Sequence, residues 1–317
     1  MVSLPRRQFL LGTGIWAAST ALGCRSASAP AVSSVSRRSV ARVLAGMPTK
    51  DGAGVQLARV IGQPALRNLD PFIMLDRFHS DEPGAYIRGF PDHPHRGFET
   101  VTVMLDGRMR HKDSRGNQGL ITGGGSQWMT AGRGIIHSEM PEQERGLMSG
   151  YQLWVNLPAK EKMCPQYYQD LAPTVIVESI LPTSSGRVRV ISGDINGLVG
   201  PVRTRPTQPV VATAFLDDDR AFEVDTPTEH TAFVFVGGGQ VDVGPENAEK
   251  FIETGHIAVL GPGEKIRLRA RMRSDVLIVA GKPLREPIAQ RGPFVMNTDA
   301  EIEQAWADYR AGVLDKG

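Results

Sequence analysis

The sequence predicts an all-β molecule: two tandem antiparallel β-barrels of the jelly-roll kind, followed by one short C-terminal α-helix. Three observations carry that prediction. Short Val- and Ile-rich runs recur from about Gly46 to Lys282, each ended by a cluster of turn residues, which is the rhythm of a sandwich or barrel. The 317 residues include 35 Gly and 22 Pro, enough to punctuate many short strands. The turns "GGGQVDV" and "GPGEKIRLRA" of the second half echo those of the first, a weak internal duplication. A hydrophobic content of 41% against 22% charged residues leaves ample material for two cores.

Residues 1–24 read as an export signal rather than as fold. Arg6 and Arg7 precede an apolar stretch of 14 residues, Phe9 to Leu22, which is short for a bilayer span and typical of a signal peptide. The arginine pair followed by Phe9 and Leu10 looks like a twin-arginine signal, with Pro5 and Leu11 departing from the usual pattern. Ala21-Leu22-Gly23-Cys24 resembles a lipoprotein box that would leave Cys24 lipidated; Ala27-Ser28-Ala29 offers an ordinary signal-peptidase site instead, although Pro30 disfavours it. Residues 25–45, rich in Ser, Ala and Arg, read as a disordered tether. With Cys24 lipidated or removed, only Cys164 remains. No internal disulfide is then available, and Cys164 alone reads as packing.

The first barrel is expected over residues 46–171. "TVTVML", "RMRHKD", "GLIT", "IIHSEM" and "YQLWVNL" alternate with "DG", "SRGN" and Gly-rich turns, whose residues tolerate the positive φ of tight hairpins. "PAKEKMCPQYYQDL" interrupts the series and bridges the two halves. The second barrel, residues 172–317, is read from "VRVISG", "VVATAFL", "TAFVFVGGGQVDV" and "DVLIVAG". Its tail becomes a helix: Thr298 caps, Glu301 stands three residues on, and Ile302, Ala305, Trp306 and Tyr309 recur at helical spacing.

The chemistry concentrates in "HPH" and "HSE". Strand period 2 puts His93 and His95 on one face, and Glu99 with them if the strand runs on unbroken. By the same rule His137 and Glu139 share a face. Adjacent strands in a barrel would converge two or three imidazoles and one or two carboxylates, an N/O donor set for iron(II), manganese, nickel, copper or zinc. With no thiolate in the set, a structural zinc site is not indicated. An isolated His-x-His is more often surface or core polarity than a ligand pair, and His-x-Glu is weaker still; the two together in one barrel favour a metal. Spacing alone leaves Glu99 and Glu139 competing as the carboxylate ligand. Pro94 lacks an N–H, so this stretch should be a strand start or an edge. His79 and His111 read as ordinary polar residues, His230 and His256 stand alone, and Met74, Met104, Met129 and Met140 read as core filler.

The 36 Lys and Arg become 34 once Arg6 and Arg7 are removed, balancing the 34 Asp and Glu. A chain without net charge lacks the basic face that nucleic-acid binding wants.

"HPHRGFETVTV", "DSRGNQG", "GGSQWMTAGRGIIHSEMP" and "GPFVMNTDAEIEQAWADYRAG" together resemble the pirin family, a branch of the cupin superfamily. The resemblance runs from about Gly46 to the C-terminus. It implies a bicupin in which only the first barrel binds metal, usually iron. Carried onto these positions, the implied ligands are His93, His95, His137 and Glu139, with Glu99 left to orient a ligand imidazole. Met104 and the "GGGS" turn depart mildly from the family pattern, and the export signal departs more. Some pirins resemble quercetin 2,3-dioxygenases, which implies a flavonol-like substrate, O₂, and Glu139 as both ligand and proton acceptor. The other reading is a non-enzymatic periplasmic metal-binding or redox-sensing protein acting through a protein partner. Family analogy implies a monomer, with membrane contact only through the signal peptide or a lipid at Cys24.

Overall fold

The computed structural model describes residues 35–181, 186–217 and 220–316. The expected signal, the lipoprotein box at Cys24 and the first part of the expected tether lie outside these residues. Both halves are antiparallel and follow one plan: a seven-stranded sheet closed by a four-stranded one. In the first barrel the larger sheet runs Tyr167–Leu171, Ser126–Thr130, Phe98–Asp106, Met148–Asn156, Phe72–Ser80, Val55–Ile61, Met47–Asp51. The smaller runs Phe90–His95, Ile135–Pro141, Arg108–Asp113, Gln118–Thr122. "PAKEKMCPQYYQDL" is thus more than a bridge, because its end supplies an edge strand to the first barrel.

Alternation along the strands decides what fills each space. In Thr231–Gly238 of the second barrel, Ala232, Val234 and Val236 fill the barrel interior, while Phe233 and Phe235 face the first barrel. Strand Ser274–Gly281 does the same, with Val276, Ile278 and Ala280 inward and Leu277 and Val279 outward. The outward residues meet Phe72, Val101, Val103, Leu153 and Val155 of the first barrel in one continuous core between the larger sheets. Both faces of these strands are therefore apolar, unlike a sheet with one wet face. The first barrel's interior differs: Thr102, Gln152 and Trp154, whose strand neighbours face the second barrel, line an open cavity.

The chain ends depart from the expected division. Residues 40–45 are not tether: Val40–Ala45 is a strand that pairs antiparallel with His256–Leu260 of the second barrel, with Val40 opposite Leu260 and Ala45 opposite His256. Val40 and Leu44 pack into the cores, and Arg38, 1% exposed, donates to Thr226 Oγ1, Gly261 O and Pro227 O. Its composition reads as a linker because the pairing edge lies far along the chain.

The other end returns the exchange. Residues 289–314, expected within the second domain, pack on the first barrel. The hairpin Ala289–Arg291/Phe294–Met296 and the helix Asp299–Arg310 enclose Phe294, Met296, Ile302 and Ala305 together with Ile136. The helix carries the expected capping box between Thr298 and Glu301. Close approach is admitted by glycine: at Gly97 (φ +89°) a Cβ would overlap Val295 O. Arg96 clamps the tail from below, with Nη1 2.7 Å from Asp308 Oδ2 and Nε 2.5 Å from Arg133 O. Lys162, 1% exposed, donates from Nζ to Gly97 O, Asn156 Oδ1 and Val295 O at 2.8, 2.6 and 2.9 Å. Burial pulls its pKa down to about 8, and its three N–H groups match three acceptors.

Candidate metal centre

Two neighbouring strands of the four-stranded sheet build the site. Phe90–His95 is an edge strand that pairs only with Ile135–Pro141, so Pro94 removes no ladder hydrogen bond from a central position. His137 stands opposite His93, and Ile135 opposite His95. Glu139 pairs with Phe90, so the edge strand carries one extra residue between Phe90 and His93. Such a bulge re-aims side chains beside it.

The structure brings His93, His95 and His137 together, one ring nitrogen of each lying within 4.8 Å of the others. Their other nitrogens are occupied. His93 Nδ1 is 2.8 Å from Pro91 O, His95 Nδ1 3.2 Å from Pro293 O, and His137 Nδ1 2.9 Å from His111 Nε2. A carbonyl only accepts, so His93 and His95 place a hydrogen on Nδ1 and turn Nε2 toward one point. His137 Nε2 is buried with no partner among the described residues. Three convergent imidazoles, one an orphan, fit a divalent transition metal. Burial first, then the neighbouring imidazoles, holds His95 and His137 well below the usual pKa of 6.5, so both are neutral and ready to ligate near neutrality.

Glu139 lines the same cavity but is not in this group of atoms. Its carboxylate is buried, with Oε1 3.0 Å from Thr102 Oγ1 and Oε2 accepting from Gln152 Nε2 at 2.8 Å. Glu99 is elsewhere. The strand breaks at the Arg96-Gly97 corner, which resets the alternation, and Glu99 comes out on the face toward the second barrel. There it accepts from Thr130 Oγ1 at 2.7 Å and from Arg205. It orients no ligand imidazole.

The orienting groups are Pro91 O, Pro293 O and His111. His111, which reads from the sequence as ordinary polarity, is 0% exposed and stacks on Tyr168 with ring centroids 4.9 Å apart. Burial lowers its pKa, partly opposed by the charges of Glu139, Asp113 and Asp170. A signal existed: His111 alternates with Met109, and both point inward on Arg108–Asp113. Pro293 O had no signal, because it arrives from the chain's far end.

Above the imidazoles lies a cavity of about 870 Å³. His93, His95, Glu139 and Gln152 stand on its polar side, while Met74 and Trp154 are among its apolar walls. That size and that mix suit a small organic ligand.

Residues 54–155 match the model of the family described as Pirin, and residues 211–315 that of the Pirin C-terminal cupin domain. A Pseudomonas aeruginosa protein carrying the provisional name quercetin 2,3-dioxygenase is 48% identical over 282 residues, 87% of this chain and 98% of that one. Pirin of Mus musculus is 46% identical over 264 residues, 82% of this chain and 88% of that one. The crystal structure of a quercetin 2,3-dioxygenase from Acinetobacter baumannii superposes with a TM-score of 0.81 at 33% identity, covering 88% of this chain and 98% of that one.

Proposed function

The chain belongs to the pirin family, and from that premise we propose that its first barrel holds iron(II) and acts as an oxygenase of the quercetin 2,3-dioxygenase type, opening a flavonol-like ring with O₂. The observation that carries this reading is the convergence of His93, His95 and His137, the first two of which line a roomy cavity of mixed polarity with the buried Glu139 carboxylate on its wall. The donor set is also compatible with manganese, nickel, copper or zinc. A bound iron would supply Lewis-acid polarisation of the substrate oxygens and one-electron chemistry toward O₂.

The chain's own residues supply the rest. His93, His95 and His137 hold the metal. Glu139 takes the hydroxyl proton of the substrate. Gln152 and Thr102 hold that carboxylate in place, and their hydrogen bonds leave further lone pairs for a proton or for the metal. Met74, Phe78 and Trp154 offer apolar surface for a planar ring and restrict water.

The test is oxygen uptake. Purified protein is loaded anaerobically with Fe(II), given quercetin, and compared with His95→Ala. Uptake lost in the variant supports the reading. No uptake at full metal occupancy would favour a non-enzymatic metal-binding role through a protein partner, and uptake that survives in His95→Ala would refute the site.

Arg6-Arg7 and the following apolar stretch support export by the twin-arginine route. That route carries folded protein, so the metal is chosen in the cytoplasm before stronger-binding ions are met outside. Routing the mature chain through an unfolded-export signal should then deliver copper- or zinc-loaded protein; full iron occupancy by that route would defeat this part of the proposal.

A further inference from the structure

Of the three groups that orient the imidazoles, two are carbonyls and one is a side chain. Pro91 O and Pro293 O can only accept, so in their neutral forms His93 and His95 carry the hydrogen on Nδ1 and leave Nε2 bare. His111 Nε2 can accept or donate. Its bond to His137 Nδ1, 2.9 Å long, therefore has two directions. In one, His137 donates from Nδ1 and its Nε2 is bare. In the other, His111 donates from Nε2, and His137 carries its hydrogen on Nε2, aimed into the centre.

The converging ring nitrogens bias that choice: those of His93 and His95 lie within 4.8 Å of that of His137, so without a metal three lone pairs would face one another, and a hydrogen on His137 Nε2 relieves the repulsion. His111 Nδ1 is buried with no partner among the described residues, and so is His137 Nε2. Each direction leaves the same two atoms unbonded and only exchanges which of them bears the hydrogen. Tyr168 stacks on the His111 ring and holds its plane without preferring either form.

We propose that His111 is a positioning residue that makes His137 a conditional ligand: the metal-free centre populates the closed direction, and metal loading reverses the His137–His111 hydrogen bond. The balance is simple. One hydrogen leaves His137 Nε2 for the solvent of the cavity, one moves along the bond from His111 Nε2 to His137 Nδ1, and one is returned from solvent to His111 Nδ1. Both rings stay neutral and no proton is gained or lost overall. Two ligands are thus always ready, and the third joins only when a metal is there to take its lone pair.

This inference rests on the metal reading above, and the experiment separates the two. Nitrogen-15 chemical shifts and long-range proton couplings report the tautomer of each histidine ring in metal-free and in Zn(II)-loaded protein. His93 and His95 should show Nδ1–H in both. His137 should show Nε2–H, or a mixture, without zinc and Nδ1–H with it. Zn(II) affinity by chelator competition should weaken roughly 10- to 100-fold in His111→Phe and recover in His111→Gln, whose amide oxygen can accept. Pure Nδ1–H at His137 in the metal-free protein would overturn the inference while leaving the metal centre intact, as would unchanged affinity in His111→Phe. No Zn(II) binding by the wild type would instead remove the metal centre itself, and the inference with it.

Discussion

His137 illustrates how a single side chain is shaped by what surrounds it: a neutral imidazole with Nδ1 bonded to His111 and Nε2 buried without a partner among the described residues. Keeping His95 and His137 neutral has a cost that depends on pH. Both folded-state pKa values are depressed below 6.5 by burial. Below that pH the unfolded chain takes up protons that the folded one refuses, so stability is fully present above about 6.5 and is lost progressively beneath it. Metal-free protein should therefore melt at lower temperature at pH 5.5 than at pH 7.5. His95→Gln should flatten that slope; an unchanged slope would show that the acid-sensitive groups lie elsewhere. Glu139 invites a different measurement. If it serves as the proton acceptor, Glu139→Gln should lower kcat by about 10²- to 10⁴-fold while the three histidines still bind metal; an unaffected kcat would remove it from the chemistry. The histidines of "HPH" and "HSE" were legible because period 2 is local. Glu99 misled because the Gly97 corner resets that period, and His111 was passed over because its partner sits on another strand.

At the scale of elements, the hairpin and helix at the C-terminus belong physically to the candidate metal centre. Pro293 O orients His95, and the same segment is held by Lys162, Arg96 and the packing around Phe294. Lys162→Met keeps much of the apolar stem but leaves Gly97 O, Asn156 Oδ1 and Val295 O without their donor. At about 1–3 kcal/mol for a buried group left unsatisfied, urea denaturation should register a loss of several kcal/mol. Metal should also dissociate faster from the surviving folded protein, because the carbonyl behind His95 is less firmly placed. Loss of stability with unchanged metal release would confine Lys162 to a structural role. The helix itself was readable from the Thr298/Glu301 capping box and the apolar spacing; the surface it packs on was not.

The whole molecule is two barrels that share a core and trade their ends. Val40–Ala45 completes a sheet of the second barrel, residues 289–314 close the first, and Phe233, Phe235, Leu277 and Val279 are buried between the two. A cut at the domain boundary read from sequence should therefore fail. A fragment of residues 46–171 lacks Pro293 and the tail, and should be poorly soluble and bind no metal stably. Residues 35–171, which restore Val40–Ala45, should recover when co-expressed with residues 172–317, as gel filtration and metal analysis would show. A soluble 46–171 fragment with full metal affinity would mean that the exchange is ornamental.

By itself the sequence determined many of the strands and turns, the doubled β plan, the capped helix and the histidines that share a face. All of these depend on residues close in the chain, where steric preference and alternation act. The tertiary structure alone decided which edge receives residues 40–45, where the tail returns, which way Glu99 faces, and that His111 stands behind His137. Those outcomes depend on pairing between distant segments and on the burial of both faces of a strand, and such pairing leaves no periodic trace in either partner.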